Sequence, residues 1–132
     1  MAMPDYDPKL TVLRFNAAIN EGDADALAAL MTDDHLFVDS EGSRTRGRET
    51  MRSGWQGFFS SFPDYRNVID AVGSRTDAVY LLGHSECSLP ALSGPALWRA
   101  IVRDGLVAEW RVYEDNAATR RELGLRSEGL FE

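Results

Sequence analysis

Apolar positions follow two different spacings along this chain, and the change of spacing divides it into elements. Val12, Phe15 and Ile19 recur at three and four residues, which puts them on one helix face. Asp7-Pro8 supplies the start, an Asp cap before a proline at the first helical position, and Gly22 supplies the stop. Asp23 caps a second helix with an apolar stripe of Leu27, Leu30 and Met31, which Asp33-Asp34 breaks. A period of two then takes over across 35–40, with His35, Phe37 and Asp39 on one face and Leu36, Val38 and Ser40 on the other. After a turn at Glu41-Gly42-Ser43, the spacing of Met51, Trp55, Phe58 and Phe62 predicts a third helix over about 47–62, with Pro63 after its end. Three long strands follow at 65–72, 78–89 and 96–103, with 90–95 as a loop. Asp104-Gly105 is a two-residue hairpin signal leading into a strand over 106–113. Asn116 can cap a short last helix that Gly124 closes.

Helices gathered toward one end and antiparallel strands toward the other give an α+β fold, read as a single domain over 1–132 with its core at about 8–125. A long sheet of this kind twists and curves. Three amphipathic helices on its concave side leave a funnel lined by inward strand residues and by aromatics from the first and third helices.

Composition narrows the class. The 132 residues carry 21 acids against 14 bases, a net charge of −7, so the chain lacks the basic footprint of a nucleic-acid binder. Its bases are arginines apart from Lys9. The longest uncharged stretch, 87–98, holds two prolines and a glycine, so no membrane helix is expected. The opening MAMPDYDPKL is acidic and has no apolar core, so no export signal is read there. A single cysteine, Cys87, leaves no internal disulfide and no Cys-rich zinc site, and the expected compartment is the reducing cytoplasm. His35 and His84 have no HxxxH or HxH spacing, so no metal is expected. The sequence has no P-loop, GxGxxG or GxSxG, which argues against a nucleotide cofactor and against serine hydrolysis, and no cofactor is expected.

The run VLRFNAAINEGDADALAALMTDDHLFVDSEG resembles the opening of the nuclear-transport-factor-two-like superfamily. GRETMR, FPDY and RDGLVAEWRVYEDNAATRRELGL are most similar to its SnoaL-like polyketide cyclase branch, and the resemblance spans about 12–125. It implies a cone-shaped fold: a strongly curved, mostly antiparallel sheet wrapped around three N-terminal helices, with a short C-terminal helix. It also implies a homodimer formed through the outer sheet face. The fold does not fix the reaction, because it hosts isomerases, cyclases, epoxide hydrolases, dehydratases and pure binding domains.

Asp39 is the first candidate, because its place in DDHLFVDSEG is similar to that of the ketosteroid isomerase general base. A carboxylate in an apolar pocket can abstract a proton beside a carbonyl. The other reading of Asp39 is a cap for the turn that follows it. The isomerase likeness ends at Phe15, which has no hydroxyl where that family carries a tyrosine, and at Arg99, which stands near the family's protonated acid. Arg99 facing inward would stabilise an oxyanion; facing outward it is a surface or dimer-face arginine. Asp115 ends WRVYED, which is similar to the acid–base Asp of limonene-epoxide hydrolases and SnoaL-like cyclases. Its other reading is a residue favoured by the dipole of the last helix. The Arg-x-Asp relay of the hydrolases is incomplete here, because Arg99 is followed by Ala100 and Ile101.

Arg111, Tyr113 and Asp115 alternate onto one face, and His84 shares a strand face with Tyr80 and Glu86. The candidate catalytic set is therefore Asp39, Asp115, Arg99, His84 and Tyr113, and the candidate substrate-binding set is Phe15, Phe37, Trp55, Phe59 and Arg111. Two functions stay open. One is a cofactor-free acid–base enzyme acting on a small or medium apolar carbonyl compound. The other is a non-catalytic module that binds a small hydrophobic molecule or serves for dimerisation.

Overall fold

The computed structural model describes residues 7–76 and 78–131. Helix α1 (Pro8–Glu21) starts where Asp7 accepts a hydrogen bond from the Lys9 N–H, and α2 (Ala24–Ala29) starts where Asp23 accepts from Ala26. Strand β1 (Met31–Val38) pairs antiparallel with the short β2 (Arg44–Arg46). Then come α3 (Arg48–Ser61), β3 (Arg66–Arg75), β4 (Ala78–Glu86), β5 (Gly94–Arg103), β6 (Leu106–Glu114) and α4 (Ala117–Glu122). One 3₁₀ turn, Pro90–Leu92, interrupts the loop between β4 and β5.

The six strands form one mixed sheet in the order β2-β1-β6-β5-β4-β3. Only β1 and β6 run parallel among the described strands; the other pairs are antiparallel. The sheet does not close: β2 and β3 are its edges. The register slips between Met31 and Leu36, between Ile69 and Ala71, and between Ile101 and Val102, and such irregularities bend strands. At the second slip Gly83 stands opposite Ile69, and a Cβ on Gly83 would collide with the Val68 carbonyl, so the close approach of β3 to β4 requires glycine there. The β5–β6 turn uses left-handed backbone at both Asp104 (φ 55°) and Gly105 (φ 77°), the pattern that the Asp-Gly pair predicts.

Helices α1 and α3 pack on one face of the sheet. The core there joins Val12, Phe15 and Ile19 of α1 with Met51 and Trp55 of α3, Leu81 of β4, Trp98 of β5 and Trp110 of β6. The opposite face is partly covered by the C-terminal segment: Leu123, Leu125, Leu130 and Phe131 pack on Ala71, Tyr80, Leu82 and Ile101. Among the described residues, no helix is long and apolar enough to cross a membrane.

Several boundaries differ from the sequence reading, three of them with a clear physical reason. Met31, Asp33 and Asp34 belong to β1, not to the end of α2. Met31 is fully buried against the core from the strand, so its helical spacing to Leu27 was a coincidence of burial. Residues 44–46, given no element by the sequence reading, form a strand, because Leu36, Phe37 and Val38 pair back onto them. Strand β4 ends at Glu86, before the expected 89, where Ser93 closes a loop by bonding both backbone groups of Cys87.

Candidate functional site

Strand alternation decides which side chains share a space. On β5 the positions facing the helices are Ala96, Trp98 and Ala100, all in the core with α1 and α3. Cross-strand pairing carries that face to Gly83 and Leu81 of β4 and to Trp110 and Val112 of β6. On β1 the same face holds His35, stacked on Phe15 at 5.7 Å, and Phe37, edge-on to Trp55 at 5.8 Å.

At one end of this inner face the packing opens into a cleft of about 660 Å³. That end collects the last residues of β1, β4 and β6 and the first residues of β3 and β5. Its walls are largely aromatic: Phe37, Trp55, Phe58, Trp98 and Trp110. The size suits a small or medium ligand, and the rings suit an apolar one.

Polar groups enter the cleft at two places. On one side, Tyr65, Asn67 and Ser85 form a chain of hydrogen bonds. The Ser85 hydroxyl donates to Asn67 Oδ1 at 2.8 Å, which uses its proton. Tyr65 Oη, 3.1 Å from Ser85 Oγ, is then the donor of that second bond. The Asn67 side chain keeps its NH₂ as a donor. Asn67 is 2% exposed and firmly held. Its backbone N–H donates to Asn20 Oδ1 at 2.7 Å, and its carbonyl accepts from Asn20 Nδ2 at 2.9 Å. An α1 side chain thereby satisfies the open edge of β3. Burial pushes the Tyr65 phenol above its ordinary value, against the opposing pull of the Ser85 bond, so Tyr65 stays protonated at neutral pH.

On the other side stand two carboxylates, Asp39 just past β1 and Glu114 at the end of β6. Asp39 also builds the turn that leads to β2. Its Oδ1 accepts the Glu41 N–H at 2.9 Å and the Ser43 N–H at 3.0 Å. Asp39 thus caps the turn, as one of its two readings had it, and also borders the cleft.

The remaining candidates separate. Phe37 and Trp55 line the cleft. Phe15 is fully buried beneath it, 4.8 Å from the Trp110 ring, and is core. Phe59 backs Trp55 by stacking at 5.5 Å and borders a second, acidic depression beside Glu21, Asp23 and Asp25. Arg99 and Arg111 face each other across the β5–β6 pairing on the outer face, because Trp98 and Trp110 take the inner one. Tyr113 borders the cleft from the strand end, but its register opposite Leu97 and its contact with Arg99 put the phenol outside. His84 lies outside too, with Nε2 2.9 Å from Glu86 Oε2. Asp115 is tied to Arg120 by a two-pronged pair at 2.7 and 2.9 Å, with both side chains largely covered. The geometry therefore does not join Arg99, His84, Arg111 or Asp115 to Asp39 in one cavity, and Tyr113 borders that cavity with its phenol turned toward Arg99.

Tyr65, Asn67, Ser85 and Glu114 were missed. The sequence carried a faint signal for two of them: Tyr65 and Asn67 alternate onto one face, and Asn16 and Asn20 sit four apart on α1, poised for one strand. His35, though fully buried on the inner face, does not border the cleft. Its Nδ1–H donates to the Val107 carbonyl at 2.7 Å, and Nε2 has no partner among the described residues. Burial pulls its pKa below the ordinary 6.5, although the Val107 bond and the nearby Glu109 and Asp34 act the other way, so the ring is neutral.

Residues 12–110 match the family model described as the SnoaL-like domain. No curated protein matches the sequence. Among solved structures, an NTF2-like protein of unknown function from Cytophaga hutchinsonii superposes with a TM-score of 0.70 at 16% identity, covering 93% of this chain and 99% of that one. A putative polyketide cyclase from Sinorhizobium meliloti gives 0.70 at 16% identity, covering 81% and 99%. An LEH-like epoxide hydrolase from M. tuberculosis gives 0.72 at 22% identity, covering 82% of each chain. These likenesses establish a shared NTF2-like α+β fold.

Proposed function

The chain belongs to the SnoaL-like domain family, and from that premise we propose that it is a small-molecule enzyme working by proton transfer on an apolar carbonyl compound held in the cleft. The observation that carries this reading is the polarity of the cleft. Aromatic walls separate a hydrogen-bonding trio, Tyr65, Asn67 and Ser85, from the carboxylates Asp39 and Glu114. A flat apolar substrate fills the space between the rings. Its carbonyl oxygen accepts from the Asn67 NH₂, whose amide plane is held by the Ser85 bond to Oδ1 while Asn20 holds the Asn67 backbone. Asp39 then takes a proton from the carbon beside that carbonyl. Its Oδ1 is fixed by the turn, so Oδ2 is the oxygen that accepts. Proton transfers alone complete such a reaction, and a well-placed acid or base contributes about 10²–10⁴-fold.

A second reading is favoured by one observation: Arg99, His84 and Asp115 all lie away from the cleft. The cleft would then bind a small hydrophobic molecule without transforming it. A panel of enolisable ketones separates the two. The wild type is screened for turnover and for thermal stabilisation, in which a ligand at 100 times its Kd adds about 2.7 kcal/mol. Turnover that falls at least 100-fold in Asp39→Asn supports the enzyme. Stabilisation without turnover supports the binding module, and turnover unchanged in Asp39→Asn rules out the assignment of the base.

A further inference from the structure

Five arginines of the chain are half-buried: Arg48, Arg52, Arg99, Arg111 and Arg120. Three of them hold a carboxylate closely: Arg48 holds Asp33 at 2.7 Å, Arg52 holds Asp25 at 2.6 Å and Arg120 holds Asp115 at 2.7 Å. Arg99 and Arg111 do not. They stand directly opposite each other in the β5–β6 pairing, at the middle of the outer sheet face. Like charges at such a pair repel, and this one carries two fixed cations.

The carboxylate beside them, Glu109, meets half of the need. Its Oε2 lies 3.4 Å from Arg111 Nε, yet that oxygen, Arg111 Nε and Arg99 Nε are all buried without a hydrogen-bond partner among the described residues. The Arg111 and Glu109 side chains are 22% and 18% exposed, so water reaches them only in part. Burial opposes the charge of Arg99, while Tyr113, Glu109 and Tyr80 sit close enough to hold its pKa above the ordinary range. The apolar cluster under the C-terminal segment takes residues from β3, from β4 and Ile101 of β5, and none from β6 or β1.

We propose that Arg99 and Arg111 form an oxyanion-binding site on the outer face of the sheet, which seats the two oxygens of a carboxylate or phosphate between the paired guanidinium groups. Each guanidinium presents a planar fork of N–H donors that matches an O–X–O edge. The bound anion neutralises the charge that Glu109 leaves unmatched, and Tyr113 is placed to add a hydroxyl donor. The site lies on the opposite side of the sheet from the cleft and does not depend on the reading given for it. The same chemistry has two sources: a free small anion, or a carboxylate of a second copy of this chain set against this face.

The test compares sodium phosphate and sodium succinate with sodium chloride at constant ionic strength, read as the Tm of the wild-type protein. A saturable rise with phosphate or succinate, absent with chloride, is expected. Arg99→Gln and Arg111→Gln each abolish it, and Arg111→Lys, which keeps the charge without the fork, weakens it several-fold. Sedimentation of the same samples distinguishes the sources. Self-association that phosphate competes away, and that Glu109→Gln and Arg111→Gln both weaken, identifies the anion as a carboxylate of the second copy. A Tm that responds alike to all three salts, with no self-association sensitive to phosphate, overturns the site even if the glutamine variants do not fold.

Discussion

Strand β5 shows the contrast between the two faces of the sheet in six residues. Its inner positions are Ala96, Trp98 and Ala100, closed in by helices, and its outer positions are Leu97, Arg99 and Ile101. The inner face excludes water through ring packing: Trp98 lies 6.4 Å from Trp110, and Phe15 closes on Trp110 from α1. Of the polar groups there, Tyr65, Asn67 and Ser85 are linked into one chain, Asp39 is fixed in a turn and His35 bonds the Val107 carbonyl. The outer face is a mosaic of aliphatic residues and charges, some firmly paired and some not. Charge on the outer side serves cohesion where it is paired, as Asp115 is with Arg120. Chemistry on an apolar molecule has to come from the sparse polar groups on the inner side.

The contrast fails first if the inner face is not a packed core. Trp98, at 1% exposed, is its central ring, and Trp98→Ala is expected to cost about 3–5 kcal/mol in urea-induced unfolding. A loss below about 1 kcal/mol would mean that the rings do not pack as a unit. A smaller effect separates the two faces by role. Asp115→Asn breaks the pair with Arg120, whose side chains are 14% and 11% exposed, and the expected cost is about 1.5–3 kcal/mol. Ligand binding in the cleft is expected to be unchanged in that variant, because Asp115 stands outside it. A binding defect at unchanged stability would move Asp115 back into the site.

The smallest of the three effects depends on pH. His35 titrates below 6.5 in the folded protein, so below that pH the unfolded chain binds a proton that the native state refuses. Stability contributed by the neutral ring is therefore present above pH 6.5. It declines as the pH falls toward the native value, by at most about 1.4 kcal/mol per pH unit. Unfolding midpoints between pH 7 and pH 5 read this slope. His35→Phe is expected to flatten it whatever its effect on overall stability, and an equally steep slope in the variant would place the titrating group elsewhere.

Much of the architecture was legible in the sequence because its signals are local. Asp7, Asp23 and Asn116 each accept a backbone N–H at a helix start, and Asp104-Gly105 turns where that pair predicts. The site was less legible because strand phase is a tertiary property. Both faces of β5 carry apolar residues, so alternation alone could not tell whether Arg99 pointed in or out. A one-residue change of phase exchanges Asp115 for Glu114 as the carboxylate at the cleft. The Tyr65–Asn67–Ser85 trio joins residues 20 apart in sequence across the β3–β4 pairing, and no local spacing announces it.

The account rests on a proton moving between a bound ketone and Asp39, and deuterium exchange reads that step directly. In D₂O, loss of the α-hydrogen signal of an enolisable ketone is followed by NMR with the wild type, Asp39→Asn and Asp115→Asn. Exchange sustained by the wild type and Asp115→Asn but lost in Asp39→Asn agrees with the assignment; equal exchange in Asp39→Asn and the wild type contradicts it.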